Sequence, residues 1–227
     1  LNTYFYAPKE DKNHRLCWKK QYNKSWRSNF RQFTNICQKN NIHIIAGIAP
    51  GLDFNFKQLN EKRKLNQKSD FEFLLNKANQ LLDDGATSIA LLLDDIPANF
   101  KDKFGNEVSE GTYHGILANK LFEKLGHNIF LVPRIYADEL IKDDPFYLYD
   151  LSKTLNPSIV IFYCGKNVVS KNLTDYKKIK KTLRNRIVFW DNYYSNDYCP
   201  RRLFIGPYYG RGKINDIMIN PTGLINT

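Results

Sequence analysis

Seven short apolar runs punctuate the chain, and each ends in polar residues, glycine or proline. Residues 2–6 alternate and are rich in β-formers before Ala7-Pro8-Lys9; residues 42–48 are apolar apart from His43 and close on Ala49-Pro50-Gly51-Leu52-Asp53. Further runs occupy 87–93, 129–132, 159–163, 187–190 and 216–219. Between them, apolar residues recur three and four positions apart. Phe30, Phe33, Ile36 and Cys37 mark a helix over 25–39, and Phe71, Leu74, Leu75 and Ala78 mark another over 70–82. Helices are also predicted over 113–125, 147–155 and 175–183, with Gly85 and Gly126 placed as C-terminal stop signals.

Strands that alternate with helices and carry unbroken apolar runs predict a parallel sheet covered on both faces. Polar groups delivered by many strand ends favour a (β/α)8 TIM-type barrel, whose chemistry collects at the carboxyl ends of its strands. An open doubly wound sheet is the competing architecture, but it would concentrate function at one crevice with a glycine-rich phosphate loop that is not found here. A closed barrel needs eight strands and seven are countable, so the expectation is one catalytic domain, residues 1–227, lacking its first strand and helix.

The richest stretch is Thr87 to Phe100, where a buried strand runs directly into Asp94-Asp95. Adjacent carboxylates at a strand end diverge in direction and can take separate roles. A bare pair can equally be a helix N-cap with a second acid in the first turn.

Composition narrows the function classes. At 227 residues and 42% hydrophobic content the chain can bury a sizeable core. No run is long and apolar enough for a spanning helix, and residues 1–10 lack a signal-peptide pattern, so the expectation is no membrane association and a cytoplasmic location. Cys17, Cys37, Cys164 and Cys199 are scattered without a metal-ligand or disulfide spacing and read as free thiols; His14, His43, His114 and His127 read as satisfied or surface side chains. The net charge of +11 lies largely in polar helix faces such as Lys177 to Lys181, and no nucleic-acid motif accompanies it.

Eight tracts in order, NTYFYAPKED, AGIAPGLDF, ALLLDDIP, VPRIY, CGKNVVSK, FWDNYYSNDY, LFIGPYYGR and INP, resemble the catalytic domain of the β-N-acetylglucosaminidases of glycoside hydrolase family 84. The resemblance implies a retaining exo-enzyme that removes terminal N-acetylglucosamine from a glycoprotein or glycan through an oxazoline, with no cofactor or metal. It makes Asp94 the carboxylate that orients the acetamido group and Asp95 the general acid/base. Asn192 would hold the acetamido oxygen, Tyr136 would stand beside the forming ring, and Trp190 would wall the pocket. Asp197, Lys9 and Asn220 would bind sugar hydroxyls. The chemistry is coherent without the family, because a substrate amide acting as nucleophile needs from the protein one acid and one orienting acceptor. The chain departs from the family at Arg134-Ile135, where Thr-Glu is usual, and at Tyr163-Cys164-Gly165, where Trp-Thr-Gly is usual. Two other functions remain open: a hyaluronidase-like enzyme on a polyanion, and a non-catalytic carbohydrate-binding remnant.

Overall fold

The computed structural model describes residues 2–59, 69–105, 109–126, 129–170, 177–195, 209–212 and 214–221. Seven strands form one sheet in strict chain order: β1 (Thr3–Tyr6), β2 (His43–Ile48), β3 (Ser88–Leu92), β4 (Ile129–Val132), β5 (Val160–Tyr163), β6 (Ile187–Asp191) and β7 (Ile217–Ile219). Every pairing is parallel. Each strand therefore returns through a crossover, and all carboxyl ends emerge on one rim.

Side-chain alternation divides the sheet into two faces. Ile44, Ala46, Ile48, Ile89, Leu91, Ile129, Leu131, Ile161, Tyr163, Ile187 and Phe189 meet the helices in the main core. Ile45, Ala90, Leu92, Val132 and Phe162 face the other way, with Phe5, Phe130, Val188, Trp190 and Met218 against them. Phe5 of β1 packs edge-on against Phe162 of β5 and Trp190 of β6, with ring centroids 5.1 and 5.2 Å apart. Strands four and five places apart touch across that face, so the sheet is curled into a partial barrel rather than open.

The helices are α1 (Lys24–Lys39), α2 (Asp70–Asp83), α3 (Phe100–Phe104), α4 (Glu110–Leu125), α5 (Tyr147–Thr154) and α6 (Lys177–Thr182). Caps set their ends: Asn23 accepts from the Trp26 amide, Ser69 and Glu72 form a reciprocal capping box, and Gly126 ends α4 in the left-handed region at φ 61°. Helix α4 starts three residues before its apolar pattern does, because Ser109 accepts from the Thr112 amide and caps it there. The short α3 and the 3-10 turns at Phe56–Leu59 and Asp138–Asp143 lacked enough periodicity to be predicted. No helix among the described residues is long and apolar enough to cross a membrane.

Helices α4 and α5 meet backbone to backbone. A Cβ at Gly111 would lie 2.2 Å from the Tyr147 carbonyl oxygen and 2.9 Å from the Leu151 nitrogen, neither of which can move alone. Gly111→Ala is therefore expected to cost about 1–3 kcal/mol in thermal or denaturant unfolding. Gly212→Ala, with nothing within 4 Å, should change stability by less than about 0.5 kcal/mol.

Candidate active site

At the carboxyl rim a cavity of about 470 Å³ opens among Lys9, Asp94, Asp95, Tyr136, Cys164, Trp190, Asn192 and Asn220, floored by apolar side chains that include Leu92 and Val132. Seven of the eight residues singled out from the sequence thus line one cavity. The eighth, Asp197, lies outside the described residues, as do Cys199 and His127. Asp94 and Asp95 do not cap a helix: α3 begins at Phe100 behind Asn99, and the pair stands in the turn that follows β3.

The two carboxylates sit in different surroundings. Asp94 is turned inward, its side chain 12% exposed, and Asp95 faces the cavity mouth at 40%. Burial, reinforced by the neighbouring Asp95 charge, pushes the Asp94 carboxyl above the usual carboxylate range. Burial also acts upward on Asp95, but it is outweighed by the Lys9 ammonium hydrogen-bonded to Oδ2 and by the Tyr136 hydroxyl, which donates to Oδ1 at 2.8 Å. The net result holds Asp95 below its ordinary value. Lys9 also lies 3.7 Å from Asp94. Burial and a neighbouring acid alone would raise Asp95. A cation 86 positions away in sequence reverses the balance.

The opposite wall is built around Asn192. Its Oδ1 accepts from Trp190 Nε1 and from Asn220 Nδ2, both at 2.9 Å, and its Nδ2 donates to the Val168 carbonyl at 2.8 Å. The second Nδ2 hydrogen faces Cys164 Sγ at 3.5 Å, a weak acceptor. An incoming carbonyl oxygen can compete for that hydrogen at little cost. Beneath, Asp191 and Arg211 form a buried ion pair at 2.9 Å, and Arg211 donates to the Ser170 carbonyl at 2.7 Å. That pair ties the loops after β5 and β6 together and fixes where Asn192 stands. Cys164 is buried, and its thiol is pushed up by burial and by the charges of Asp94, Asp191 and Asp95.

Comparison with known proteins decides the lineage. A family model described as beta-N-acetylglucosaminidase matches residues 1–223. The chain belongs to this family. Protein O-GlcNAcase of Rattus norvegicus and of Mus musculus are each 32% identical over 242 residues, covering 97% of this chain and 25% of the relative. The solved structure of CpGH84B superposes with a TM-score of 0.81 at 25% identity, over 98% of this chain and 40% of that one. A point mutant of Thermobaculum terrenum O-GlcNAc hydrolase gives 0.83 at 26% identity, over 99% and 49%. The chain thus spans a quarter of the length of these curated relatives and less than half of the solved chains.

The sequence reading missed side chains whose partners lie far away in the chain. Arg134, at the departure before Tyr136, is buried and pairs with Glu110 of α4 at 2.7 Å, while its amide donates to the Tyr147 hydroxyl at 3.0 Å. That hydroxyl also meets His114 Nδ1 at 2.8 Å. His114 was expected to be satisfied or on the surface, yet it is fully buried and its Nε2 has no hydrogen-bond partner. Burial and the Arg134 charge push it down to about 3, so it stays neutral. Cys17, Cys37 and Cys164 are free thiols, as expected. No group of metal-binding side chains occurs among the described residues.

Removing the Lys9 ammonium should raise the titration of Asp95 and, less strongly, that of Asp94. Lys9→Met tests this by carboxyl-carbon NMR titration, and an unmoved Asp95 would assign its depression to another group. The stability signs are opposite for the two acids. Asp95 stabilises the fold above its unfolded value, and that contribution is lost as pH falls through its depressed folded value. Asp94 lowers stability as pH rises from its unfolded towards its raised folded value. Lys9→Met should therefore flatten the acid-side dependence that belongs to Asp95.

Proposed function

We propose that this chain is the catalytic unit of an exo-acting, retaining β-N-acetylglucosaminidase that releases terminal N-acetylglucosamine from glycoproteins or glycans, the substrate's acetamido group serving as nucleophile. The observation that carries the reading is the unequal acid pair, Asp94 inward and Asp95 at the mouth, facing a preformed amide-holding wall in one cavity. Family membership and relatives named O-GlcNAcase support it.

In the proposed reaction the sugar ring lies over the apolar floor with its acetamido group between Asp94 and Asn192. Asp94 accepts the amide N–H, which makes the amide oxygen a better nucleophile, while Asn192 Nδ2 and Tyr136 fix that oxygen towards the anomeric carbon. Asp95 protonates the departing oxygen and then takes a proton from the water that opens the oxazoline, so both half-reactions return the same anomer. Lys9 and Asn220 bind ring hydroxyls, with Asp197 as the third partner. Lys9 cannot serve a hydroxyl and keep its full hold on Asp95. Sugar binding therefore draws away the charge that keeps Asp95 ionised, and burial then acts to raise it into its role as acid. No step needs a cofactor. The proposal extends to one domain over residues 1–227, with an eighth strand closing the barrel between β1 and β7, each of which pairs with one neighbour among the described strands.

Asp94→Asn should slow hydrolysis with every leaving group, since it removes the amide's acceptor. Asp95→Ala should cripple alkyl glycosides by about 10²–10⁴-fold and spare the first step on activated aryl ones. Product anomers read by NMR check the route: inversion would eliminate the oxazoline. Release of single sugars from a chito-oligosaccharide supports exo action. Chain shortening of hyaluronan would favour the polyanion enzyme, and binding without turnover would favour a carbohydrate-binding remnant.

A further inference from the structure

Asp95 is one of two non-glycine residues with positive φ among those described, at 51°. The left-handed region is sparsely populated by residues with a side chain, and where one is held there the surroundings must determine it. Here the determinant can be read directly. Arg15 Nη2 donates to the Asp95 main-chain carbonyl at 2.6 Å across 80 residues of sequence. On the following residue, the Ile96 side chain packs over Gly51, where a Cβ would lie 2.9 Å from Ile96 Cγ2.

Arg15 itself is held by a fixed base. The preceding residue, His14, is buried, and its Nδ1–H donates to the Gly47 carbonyl at 2.9 Å while its own carbonyl accepts from the Ala49 amide at 3.0 Å. Its ring seats close on β2 because position 47 is glycine: a Cβ there would stand 3.2 Å from His14 Cε1 and 2.8 Å from Leu92 Cδ1. Two further fastenings come from Lys77 Nζ, which donates to the Asn13 carbonyl at 3.3 Å, and from the buried Trp18 indole, which donates to Asp53 at 2.5 Å. The loop after β1 is thus bolted to β2 and α2, and it extends one guanidinium onto the backbone of the turn after β3.

We propose that Arg15 is a positioning residue for the acid step: by holding the Asp95 carbonyl it keeps the residue left-handed and directs its carboxyl into the cavity. Arg15 donates to the Asp95 backbone and not to its carboxylate, so the positioning effect passes through backbone geometry; its charge also lowers the Asp95 carboxyl through space, an effect that Arg15→Lys retains. Losing Arg15 lets the turn relax into a commoner conformation, in which the carboxyl no longer reaches the glycosidic oxygen. The inference rests on the reading of Asp95 as the proton donor.

The test uses the intact enzyme with two substrates, methyl and 2,4-dinitrophenyl N-acetyl-β-glucosaminide. Arg15→Met should lower kcat on the methyl glycoside by about 10–10²-fold, a part of what general acid help is worth. On the dinitrophenyl glycoside, whose leaving group needs no proton, the first step should keep its rate to within about threefold. Arg15→Lys, which keeps a cation but offers no planar fork, should lie between wild type and Arg15→Met, and added guanidinium ion should restore part of the Arg15→Met loss. A variant that is merely destabilised would lose both substrates alike and would not respond to guanidinium; that result, or no loss on either substrate, overturns the proposal. Should Arg15→Met fail to fold by circular dichroism, Arg15→Lys carries the same comparison. Asp95→Ala run alongside separates the two levels. If it shows the leaving-group-selective loss and the Arg15 variants do not, only the positioning role falls; if it loses both substrates equally, the acid assignment falls with it.

Discussion

Parallel pairing in strict chain order is the constraint on which everything else rests. It leaves no freedom in where a strand end can go: each returns to the same rim, and the inward curl signalled by Phe5 against Phe162 and Trp190 gathers those ends around one opening. Lys9 from β1, the acid pair from β3, Tyr136 from β4, Cys164 from β5, Asn192 from β6 and Asn220 from β7 become neighbours for that reason alone. The site is a property of the topology before it is a property of any local motif.

Within that rim the structure uses charge asymmetrically. Two adjacent aspartates of equal intrinsic acidity are separated by what surrounds them, one by burial and the other by an ammonium and a phenol. The chain thus holds the mouth carboxylate ionised and hydrogen-bonded to Lys9 and Tyr136. On the other side Asn192 is already oriented by Trp190, Asn220 and Val168, so binding an amide oxygen need not freeze a free side chain. On the proposed route one wall is set in advance and the other is rearranged by the sugar.

The strands were legible because being covered on both faces requires unbroken apolar runs, and the helices because their apolar stripes recur over several turns. Asp94 and Asp95 were legible as polar side chains directly after such a run, and the other rim residues were singled out through the family resemblance of the tracts that carry them. What escaped detection lacks a local signature. The partner of Arg15 is a main-chain carbonyl, which any residue could offer, and the Lys9 ammonium meets Asp95 only after folding. The buried group of Glu110, His114, Arg134 and Tyr147 joins two helices and a strand end, and its members look like ordinary polar residues in their own segments. Helix α3 has five residues, too few for periodicity to declare itself.

Cys164 shows what burial would do for a cavity that handles an electrophile. On the proposed route the anomeric carbon passes through a cationic, alkylating state a short distance from this sulfur. A thiolate in that place would be the strongest nucleophile in the enclosure and would capture the carbon as a stable thioglycoside, ending turnover in that molecule. Burial and the nearby carboxylates of Asp94, Asp191, Asp95 and Glu139 keep the sulfur protonated. On that route the same surroundings that favour a positive sugar disarm the side chain best able to trap it.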